Sequence, residues 1–207
     1  MARASPRGRF LTLEGVDGAG KSTHVPWIAA RLAEAGREVI VTREPGGTPL
    51  AEKLRAMVLA EPMDPFAETL LMFAARAEHV RGLIAPALAR GAWVVCDRFT
   101  DATHAYQGGG KGVARELIER LAAAAHPGLA PDLTLVFDCG YDVSRERLGA
   151  AGRARDRFEA EGPEFFERVR QAYRKIAEAE PERVRLIDAA QSPERVRLEV
   201  EKAISTL

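Results

Sequence analysis

The sequence predicts an α/β fold of three layers, in which helices cover both faces of a five-stranded parallel sheet. Short apolar runs alternate with longer segments of helical character along the 207 residues. The apolar runs are continuous rather than alternating, which is typical of strands buried on both faces. Strand–helix alternation of this kind favours right-handed crossovers within one parallel sheet, and the chain is long enough to bury a full core.

The predicted elements follow one another from residue 9 to the C-terminus. The predicted strands are RFLTLE at 9–14, EVIVTR at 38–43, WVVCD at 93–97, LTLVFD at 133–138 and RVRLID at 183–188. The predicted helices are 21–35, 49–60, 65–90, 112–125, 142–149, 163–179 and 193–205. We find no repeat and no linker, so residues 9–207 are predicted to form a single domain behind a flexible N-terminus at 1–8. Ligands of such folds bind beyond the carboxyl ends of the strands.

The composition narrows the class of protein. Lys plus Arg and Asp plus Glu each number 30, and this zero net charge argues against a general nucleic-acid binder. Cys96 and Cys139 lie in or just after apolar runs without metal-ligand spacing, which favours buried free thiols in a reducing compartment. The N-terminus lacks the apolar stretch of a signal peptide, and no run reaches the length of a membrane span. We therefore expect a cytoplasmic protein with no membrane or nucleic-acid partner.

A glycine-rich loop between the first strand and the first helix is predicted to bind a nucleoside triphosphate. Residues 15–22 read GVDGAGKS, a complete G-x-x-x-x-G-K-[ST] pattern in the context that confirms it. Its backbone N–H groups and the following helix N-terminus suit phosphate oxygens. Lys21 is positioned for the β- and γ-phosphates, and Ser22 is a candidate ligand of Mg²⁺. The predicted ATP-binding residues are Gly15, Val16, Asp17, Gly18, Ala19, Gly20, Lys21, Ser22 and Thr23.

The residues after the other strands bear on which reaction uses the triphosphate. The sequence has no N-K-x-D motif and no D-x-x-G after a strand, so a GTPase switch is disfavoured. Two strands end in an aspartate, Asp97 and Asp138. Asp97 is followed by Arg98 and then by FTDATHAYQGGG, which favours a site for a second phosphorylated molecule over the relay of a motor protein.

Four motifs in this order give the sequence a family resemblance. EGVDGAGKST, TREPGGT, DRFTDATHAYQGGG and DRFE resemble the motifs of bacterial thymidylate kinases, which are nucleoside monophosphate kinases of the P-loop NTPase fold. The resemblance runs from about residue 9 to the C-terminus. It implies transfer of the γ-phosphate of ATP to dTMP, giving dTDP and ADP on the route to dTTP. It also implies Mg²⁺ as cofactor and a homodimer.

The resemblance assigns roles to residues after the second and third strands. Residues implied to contact the acceptor nucleotide are Asp17, Glu44, Pro45, Arg55, Phe73, Arg76, Arg98, Thr103, Tyr106 and Gln107. Arg98 is implied to grip the acceptor phosphate, and Tyr106 to lie against the sugar. From the sequence alone Arg55 is better interpreted as an exposed helix arginine. Phe73 is expected to stack on the base beside Arg76, although it could equally fill the core, and several relatives have the aromatic where this chain has Met72.

A small, arginine-rich segment at 148–159 is predicted to form a mobile lid. Arg153, Arg155 and Arg157 could close over the transferring phosphoryl group or could form a solvated basic helix end. Members of the resembling family that lack an arginine in the glycine-rich loop supply this charge from the lid. The resemblance therefore implies that Arg153 reaches the γ-phosphate, while we expect Arg157 to be held by neighbouring acids. Lys21, Arg98, Arg153 and Asp97 are the predicted catalytic residues. The segment 187–196 matches the loop that borders the adenine.

Two alternatives stay open at this point. One is a kinase of the same fold that acts on another nucleoside monophosphate, against which the TREPGG turn and the Tyr106–Gln107 pair argue. The other is a regulatory protein that binds nucleotide without transferring phosphate. Phe99 and Ala102 replace the Tyr and Ser that are more usual in the resembling family, so hydrogen bonds from those hydroxyls are not expected here.

Overall fold

The computed structural model describes residues 7–150, 152 and 156–207 and contains a five-stranded sheet. Its strands are β1 (Phe10–Gly15), β2 (Val39–Arg43), β3 (Trp93–Asp97), β4 (Leu133–Asp138) and β5 (Val184–Asp188). All neighbouring strands are parallel, in the order β2-β3-β1-β4-β5. Each predicted strand is confirmed to within one residue at either end. The carboxyl end of β1 lies between those of β3 and β4, which places the glycine-rich loop at the middle of the sheet edge.

The helices surround this sheet. They are α1 (Lys21–Glu34), α2 (Pro49–Ala60), α3 (Pro65–His79), α4 (Ala85–Ala89), α5 (Thr100–Thr103), α6 (Arg115–Ala125), α7 (Tyr141–Ala150), α8 (Pro163–Ala179) and α9 (Pro193–Ile204). A π-helical turn at Val80–Ile84 joins α3 to α4, so the predicted helix at 65–90 is continuous but changes its winding. The helix predicted from 112 begins only at Arg115, because Gly112 has a φ of +77°.

One helical segment was not predicted. Residues of the polar run after β3 form α5 and a π-helical turn, His104–Gly110. Its three consecutive glycines argue against a helix by propensity, but they serve packing against α8. A Cβ at Gly109 would lie 2.6 Å from the Cβ of Ala172, and one at Gly110 would lie 2.5 Å from the ring of Phe165. The backbone of this segment therefore lies directly on α8.

The core follows from the apolar strands. Leu11 and Leu13 are fully buried on one face of the sheet, and Val94 and Cys96 are fully buried on the other, as continuous apolar runs predict. Cys96 and Cys139 are buried free thiols, as expected from the sequence. In the part of the chain that the structure describes, no helix is both long and apolar enough to cross a membrane.

Gly8 is already part of the folded body. Gly8 was predicted to be the last residue of the flexible N-terminus, but it is buried and its N–H donates to the carbonyl of Leu88 at 2.9 Å. Asp132 then accepts hydrogen bonds from the Arg9 guanidinium at 2.9 Å and from the Phe10 N–H at 2.7 Å. The first strand is thus attached to the body from Gly8 onward.

Candidate active site

Two cavities meet at the carboxyl edge of the sheet. The larger, which we call the loop cavity, has about 1570 Å³ of empty space and includes the glycine-rich loop. The smaller, which we call the inner cavity, has about 620 Å³ and lies between α2, α3, residues 156–158 of the predicted lid, and α5 with the π-helical turn that follows it, which together we call the α5 segment (100–110). The residues that line both cavities are Asp17, Glu44, Arg55, Arg98 and Asp156.

The loop cavity is built on the backbone between β1 and α1. At Gly15 and Gly18 a Cβ would lie 2.3 Å from the Phe137 carbonyl and 2.5 Å from the Ser144 carbonyl, so the loop can follow this path only with glycine. Residues 17–23 line the cavity as predicted for an ATP site. Gly15 and Val16 do not line it, because they lie behind the loop, where their carbonyls accept hydrogen bonds from Lys21.

Lys21 is a buried cation at the floor of the loop cavity. Its Nζ donates to the carbonyls of Gly15 and Val16, each at 2.9 Å. Burial, together with the nearby charge of Arg98, lowers the pKa of Lys21 below its ordinary value. The ammonium group thus lies among protein oxygens and lines the cavity, where an anionic ligand would be a stronger partner.

The far side of the loop cavity comes from the C-terminal third of the chain. Ala189 and Gln191 line it from the loop before α9, and Pro193 and Val196 line it from α9. Arg147 of α7 lines it too, and its guanidinium donates to the Ala189 carbonyl at 2.9 Å. The segment predicted to border the adenine therefore lies at this cavity.

Asp17, Arg98 and Tyr106 form a tight cluster where the two cavities meet. Arg98 Nη2 donates to Asp17 Oδ1 at 2.6 Å and to the Tyr106 hydroxyl at 2.9 Å. That hydroxyl donates in turn to Asp17 Oδ2 at 2.7 Å. Arg98 has a φ of +74°, a left-handed conformation unusual for a residue other than glycine. This strained backbone turns the side chain from β3 toward the loop.

The charges of this cluster stabilise one another. Burial alone would raise the pKa of Asp17, but Arg98 and Lys21 outweigh it, so the net effect is a lowered pKa. Burial would lower the pKa of Arg98, but Tyr106 and Asp17 raise it well above its ordinary value. Both groups are therefore charged at neutral pH, and Arg98 is held as a fixed cation between the cavities.

The turn after β2 contributes Glu44, Pro45 and, through α2, Arg55. Arg55 donates from Nη1 to the Pro45 carbonyl at 2.9 Å and is half-buried. Because it lines both cavities, the interpretation of Arg55 as an ordinary exposed helix arginine is wrong. Glu44 is buried and accepts hydrogen bonds from Arg76 Nε at 2.7 Å and at Oε1 from His79 Nδ1 at 3.0 Å.

Arg76 presents an unused donor to the inner cavity. Its Nε is bonded to Glu44, and its Nη2 donates to the Phe99 carbonyl at 2.9 Å and to the Thr103 hydroxyl at 3.1 Å. Its Nη1 is buried and has no hydrogen-bond partner among the described residues. An unsatisfied buried guanidinium N–H is costly, so a ligand carbonyl is the natural partner.

The placement of Phe73 corrects the predicted stacking contact. Phe73 does not line the inner cavity but packs in a core cluster with Ile118 and Ala125. Met72 lines the cavity in its place, with Phe99 on another side. The reason is helical geometry, since Met72 is four residues before Arg76 and shares its face toward the cavity, while Phe73 is turned toward α6. The Cζ atom of Arg76 does lie over the Phe73 ring, 4.7 Å from the ring centre, but this contact is on the side of the core.

The α5 segment carries the remaining predicted contacts, and it reveals an acid that the sequence analysis missed. Thr103, Tyr106 and Gln107 all line the inner cavity. The Gln107 amide Nε2 donates at 2.8 Å to Glu68, a fully buried carboxylate of α3. Glu68 could have been found from its spacing, because it precedes Met72 and Arg76 by four and eight residues and so lies on the same helix face.

A second buried acid lies behind Arg98 and was also missed. Glu14 of β1 accepts a hydrogen bond from the Phe99 N–H at 2.7 Å and from the Tyr173 hydroxyl at 2.8 Å. Arg98 Nη1 donates to the same hydroxyl at 3.2 Å. Burial, reinforced by the negative charge of Asp101, raises the pKa of Glu14 to about 8. Glu14 and Tyr173 thus support the backbone and the side chain at the strained position.

Within the predicted lid, the structure describes residues 148–150, 152 and 156–159. Arg153 and Arg155 lie outside the described residues. Asp156 and Phe158 line the inner cavity, and Arg157 donates to Glu68 and to the Val58 carbonyl, in line with the expectation that an acid holds it.

Asp97, at the end of β3, lines the loop cavity, and its buried Oδ1 has no hydrogen-bond partner in the described chain. No group of three His, Cys, Asp or Glu side chains suited to a metal occurs within residues 7–150, 152 and 156–207.

Comparisons of the sequence with a family model and with curated proteins both find similarity to thymidylate kinases. The family model described as thymidylate kinase matches residues 13–200. Among curated relatives, a thymidylate kinase of Bordetella pertussis is 55% identical over 203 residues, covering 98% of this chain and 97% of that protein. One of Methylobacillus flagellatus is 59% identical over 194 residues, covering 94% and 95%.

A solved structure agrees with the sequence relatives. The thymidylate kinase of Ehrlichia chaffeensis has a TM-score of 0.78 against this chain, at 35% identity, and the match covers 97% of this chain and 99% of that one. The similarity thus extends over both cavities and the whole sheet.

Proposed function

The chain belongs to the thymidylate kinase family, and from this premise we propose how its two cavities serve the reaction. The reaction moves the γ-phosphate of ATP to dTMP and yields ADP and dTDP. One P–O bond to the β-phosphate breaks, and one P–O bond forms to an oxygen of the acceptor phosphate. The product then serves dTTP biosynthesis.

The single observation that carries the proposal is the junction of the cavities. Arg55, Arg98 and Asp17 line both of them, so the two ligands' phosphates would approach each other there. In our proposal ATP occupies the loop cavity with its β- and γ-phosphates against the loop backbone and Lys21. The acceptor dTMP occupies the inner cavity with its phosphate on Arg98 and Arg55. Holding two anions in line is the main task of a phosphoryl transferase.

The inner cavity suits a thymine base in size and polarity. Met72 and Phe99 supply apolar walls, and the free Nη1 of Arg76 supplies a donor for a ring carbonyl. Thr103 and Gln107 complete the polar edge. Tyr106 and Asp17 are bonded to each other at the mouth, where the sugar would lie. We propose these residues, with Glu44 and Pro45, as the substrate contacts.

The acceptor needs no strong general base, because its phosphate is ionised at neutral pH. Catalysis then consists of positioning and of stabilising the charge that spreads over the transferring group. We propose that Lys21 and Arg98 perform this stabilisation from opposite sides. Arg153 is our proposed third cation, and closure over the site by the lid would exclude water and suppress hydrolysis.

Mg²⁺ is proposed as the cofactor, with Ser22 and Asp97 as the protein groups that would hold it. The Ser22 hydroxyl is exposed at the loop cavity, and Asp97 has an unpartnered oxygen there. When bound, the ion would neutralise phosphate charge. The protein's own contribution is to keep these two oxygens next to Lys21.

A substrate panel tests the proposed function. ADP release is measured with ATP and Mg²⁺ in the presence of dTMP, dUMP, UMP, dCMP or no acceptor. We expect turnover that strongly favours dTMP. Equal ADP release without acceptor would mean an ATPase, and a preference for UMP or dCMP would mean a different nucleotide kinase.

We also propose that two copies of the chain associate and that the protein is cytoplasmic. Leu50 and Met57 of α2 and Phe66 and Leu70 of α3 are large apolar side chains that are 41–51% exposed on two helices packed against each other. The buried free thiols accord with a reducing compartment. Sedimentation of wild type and Leu70→Glu tests the dimer. A monomeric wild type, or an unchanged dimer in the variant, would contradict the proposed surface.

A further inference from the structure

Glu68 is a wholly buried carboxylate for which the reaction described above has no use. Its side chain is 0% exposed. Lys111 Nζ donates to its Oε2 at 2.7 Å, and Arg157 Nη2 donates to the same oxygen. A buried acid with two cations on one oxygen is an ionised acid, since each cation would otherwise be left unpaired. Its other oxygen, Oε1, takes the hydrogen bond from Gln107.

An ionised carboxylate accepts hydrogen bonds and donates none, and this determines which way the Gln107 amide points. Only the Nε2 end of an amide can donate, so that end must face Glu68. The carbonyl Oε1 of Gln107 is then left for the inner cavity, which this residue lines. Within the described chain no group donates a hydrogen bond to that Oε1.

The inner cavity therefore presents two different polar groups to a base. Arg76 Nη1 is a donor without a partner, and Gln107 Oε1 is an acceptor without a partner. The edge of thymine or uracil offers a carbonyl oxygen next to a ring N–H, which is the complementary pattern. Cytosine offers the reverse, an amino group next to a ring nitrogen that only accepts.

We propose that Glu68 is a specificity-determining positioning residue, which locks the Gln107 amide so that the inner cavity accepts keto pyrimidines and rejects cytosine. This inference rests on the proposed function of the inner cavity as the acceptor site. It adds a residue that touches no substrate and acts through Gln107. A mismatched edge leaves buried polar groups unpaired, which is an effective basis for rejection.

The test compares dUMP with dCMP, because these two acceptors differ in the polar edge of the base and not in the sugar or phosphate. The ratio of their kcat/KM values is measured in wild type and in Glu68→Gln. In the variant the residue at 68 can either accept or donate, so Gln107 can turn over and donate to the ring nitrogen of cytosine, which removes one of the two mismatches and leaves the one at Arg76. We expect the ratio to fall by about tenfold or more. Lys111→Met is the matched control, because it removes an ion-pair partner of Glu68 but keeps the bond to Gln107, and its ratio should match wild type.

The outcomes separate the inference from its premise. An equal loss with both acceptors in Glu68→Gln, at an unchanged ratio, would make Glu68 merely structural and overturn the inference, as would a wild type that does not discriminate. A wild type that phosphorylates neither dTMP nor dUMP would overturn the proposed function instead. If Glu68→Gln does not fold, the ratio is measured in Glu68→Gln/Lys111→Met, which removes one anion and one cation and keeps the net charge of the cluster.

Discussion

The loop cavity and the inner cavity hold charge in opposite ways. The loop cavity offers backbone between Asp17 and Thr23, and Lys21 is the one buried cation among the described residues that line it. The inner cavity is lined by side chains that other side chains hold in place, such as Arg76 by Glu44, each only 3% exposed. A triphosphate brings its own charge and needs many donors, whereas a neutral base needs few groups in a fixed orientation. If the ligands bind as we propose, one sheet edge serves both needs by offering backbone to one ligand and side chains to the other.

The largest expected effect comes from removing the ammonium group of Lys21 from the loop cavity. Lys21→Ala should lower kcat by about 10²-fold or more, because no other described side chain can place an ammonium group between the loop and Arg98. Steady-state rates of ADP release with saturating dTMP measure this. Lys53→Ala, on the exposed face of α2, is the matched control and should keep the wild-type rate. A near-normal kcat in Lys21→Ala would mean that the loop backbone alone carries the charge.

The next effect is a pH dependence of the free energy of unfolding, which arises from the buried acid Glu14 behind the inner cavity. Glu14 has a pKa of about 8 in the folded protein against 4.5 as its ordinary value. Between about pH 5 and about pH 8 the folded chain keeps a proton that the unfolded chain has lost, so this residue makes the protein less stable as pH rises. The slope for one proton is about a tenfold change in the unfolding equilibrium constant per pH unit.

Glu14→Gln should remove this slope while keeping both hydrogen bonds, since an amide can accept from the Phe99 N–H and pair with Tyr173. The free energy of unfolding in urea is measured across the same pH range. We expect the variant to gain stability relative to wild type as pH rises. Glu116→Gln, at an exposed site of α6, serves as the control. A parallel pH dependence in wild type and Glu14→Gln would show that the folded acid titrates normally.

The smallest effect sharpens the distinction between the cavity wall and the core. Met72→Ala should raise the KM for dTMP about fivefold, which corresponds to about 1 kcal/mol of lost apolar contact. Phe73→Leu should leave that KM unchanged and lower the free energy of unfolding by about 1 kcal/mol. Kinetics and urea unfolding of both variants measure the two effects. The reverse pattern would return Phe73 to the role predicted from the sequence.

The glycine-rich loop of the loop cavity could be predicted from the sequence, because the residues that form it are contiguous in the chain. Eight consecutive residues between a strand and a helix specify the path of the backbone, and the five strands are visible as apolar runs. The helical segment after β3 could not be found in this way, because Gly108, Gly109 and Gly110 oppose a helix locally. Only the tertiary contact with α8 explains them.

The inner cavity could be predicted only in part, because its residues come from distant segments. The family resemblance supplied Arg76 and Arg98, but it did not decide between Met72 and Phe73. Neighbouring helical positions differ by about 100° in direction, so one residue decides between cavity and core. Glu68 was missed for another reason. A glutamate on a helix is usually solvated, and only the fold brings Lys111 and Arg157 to it.

The glycine run against α8 has a consequence for how this gene can vary. Any side chain at Gly109 or Gly110 would collide with Ala172 or Phe165, so nearly every missense change there should be lost from a library selected for growth. Gly140 and Gly162 have nothing within 4 Å and should accept many residues. Tolerance at these four glycines is then set by whether another side chain already occupies the space that a Cβ would need.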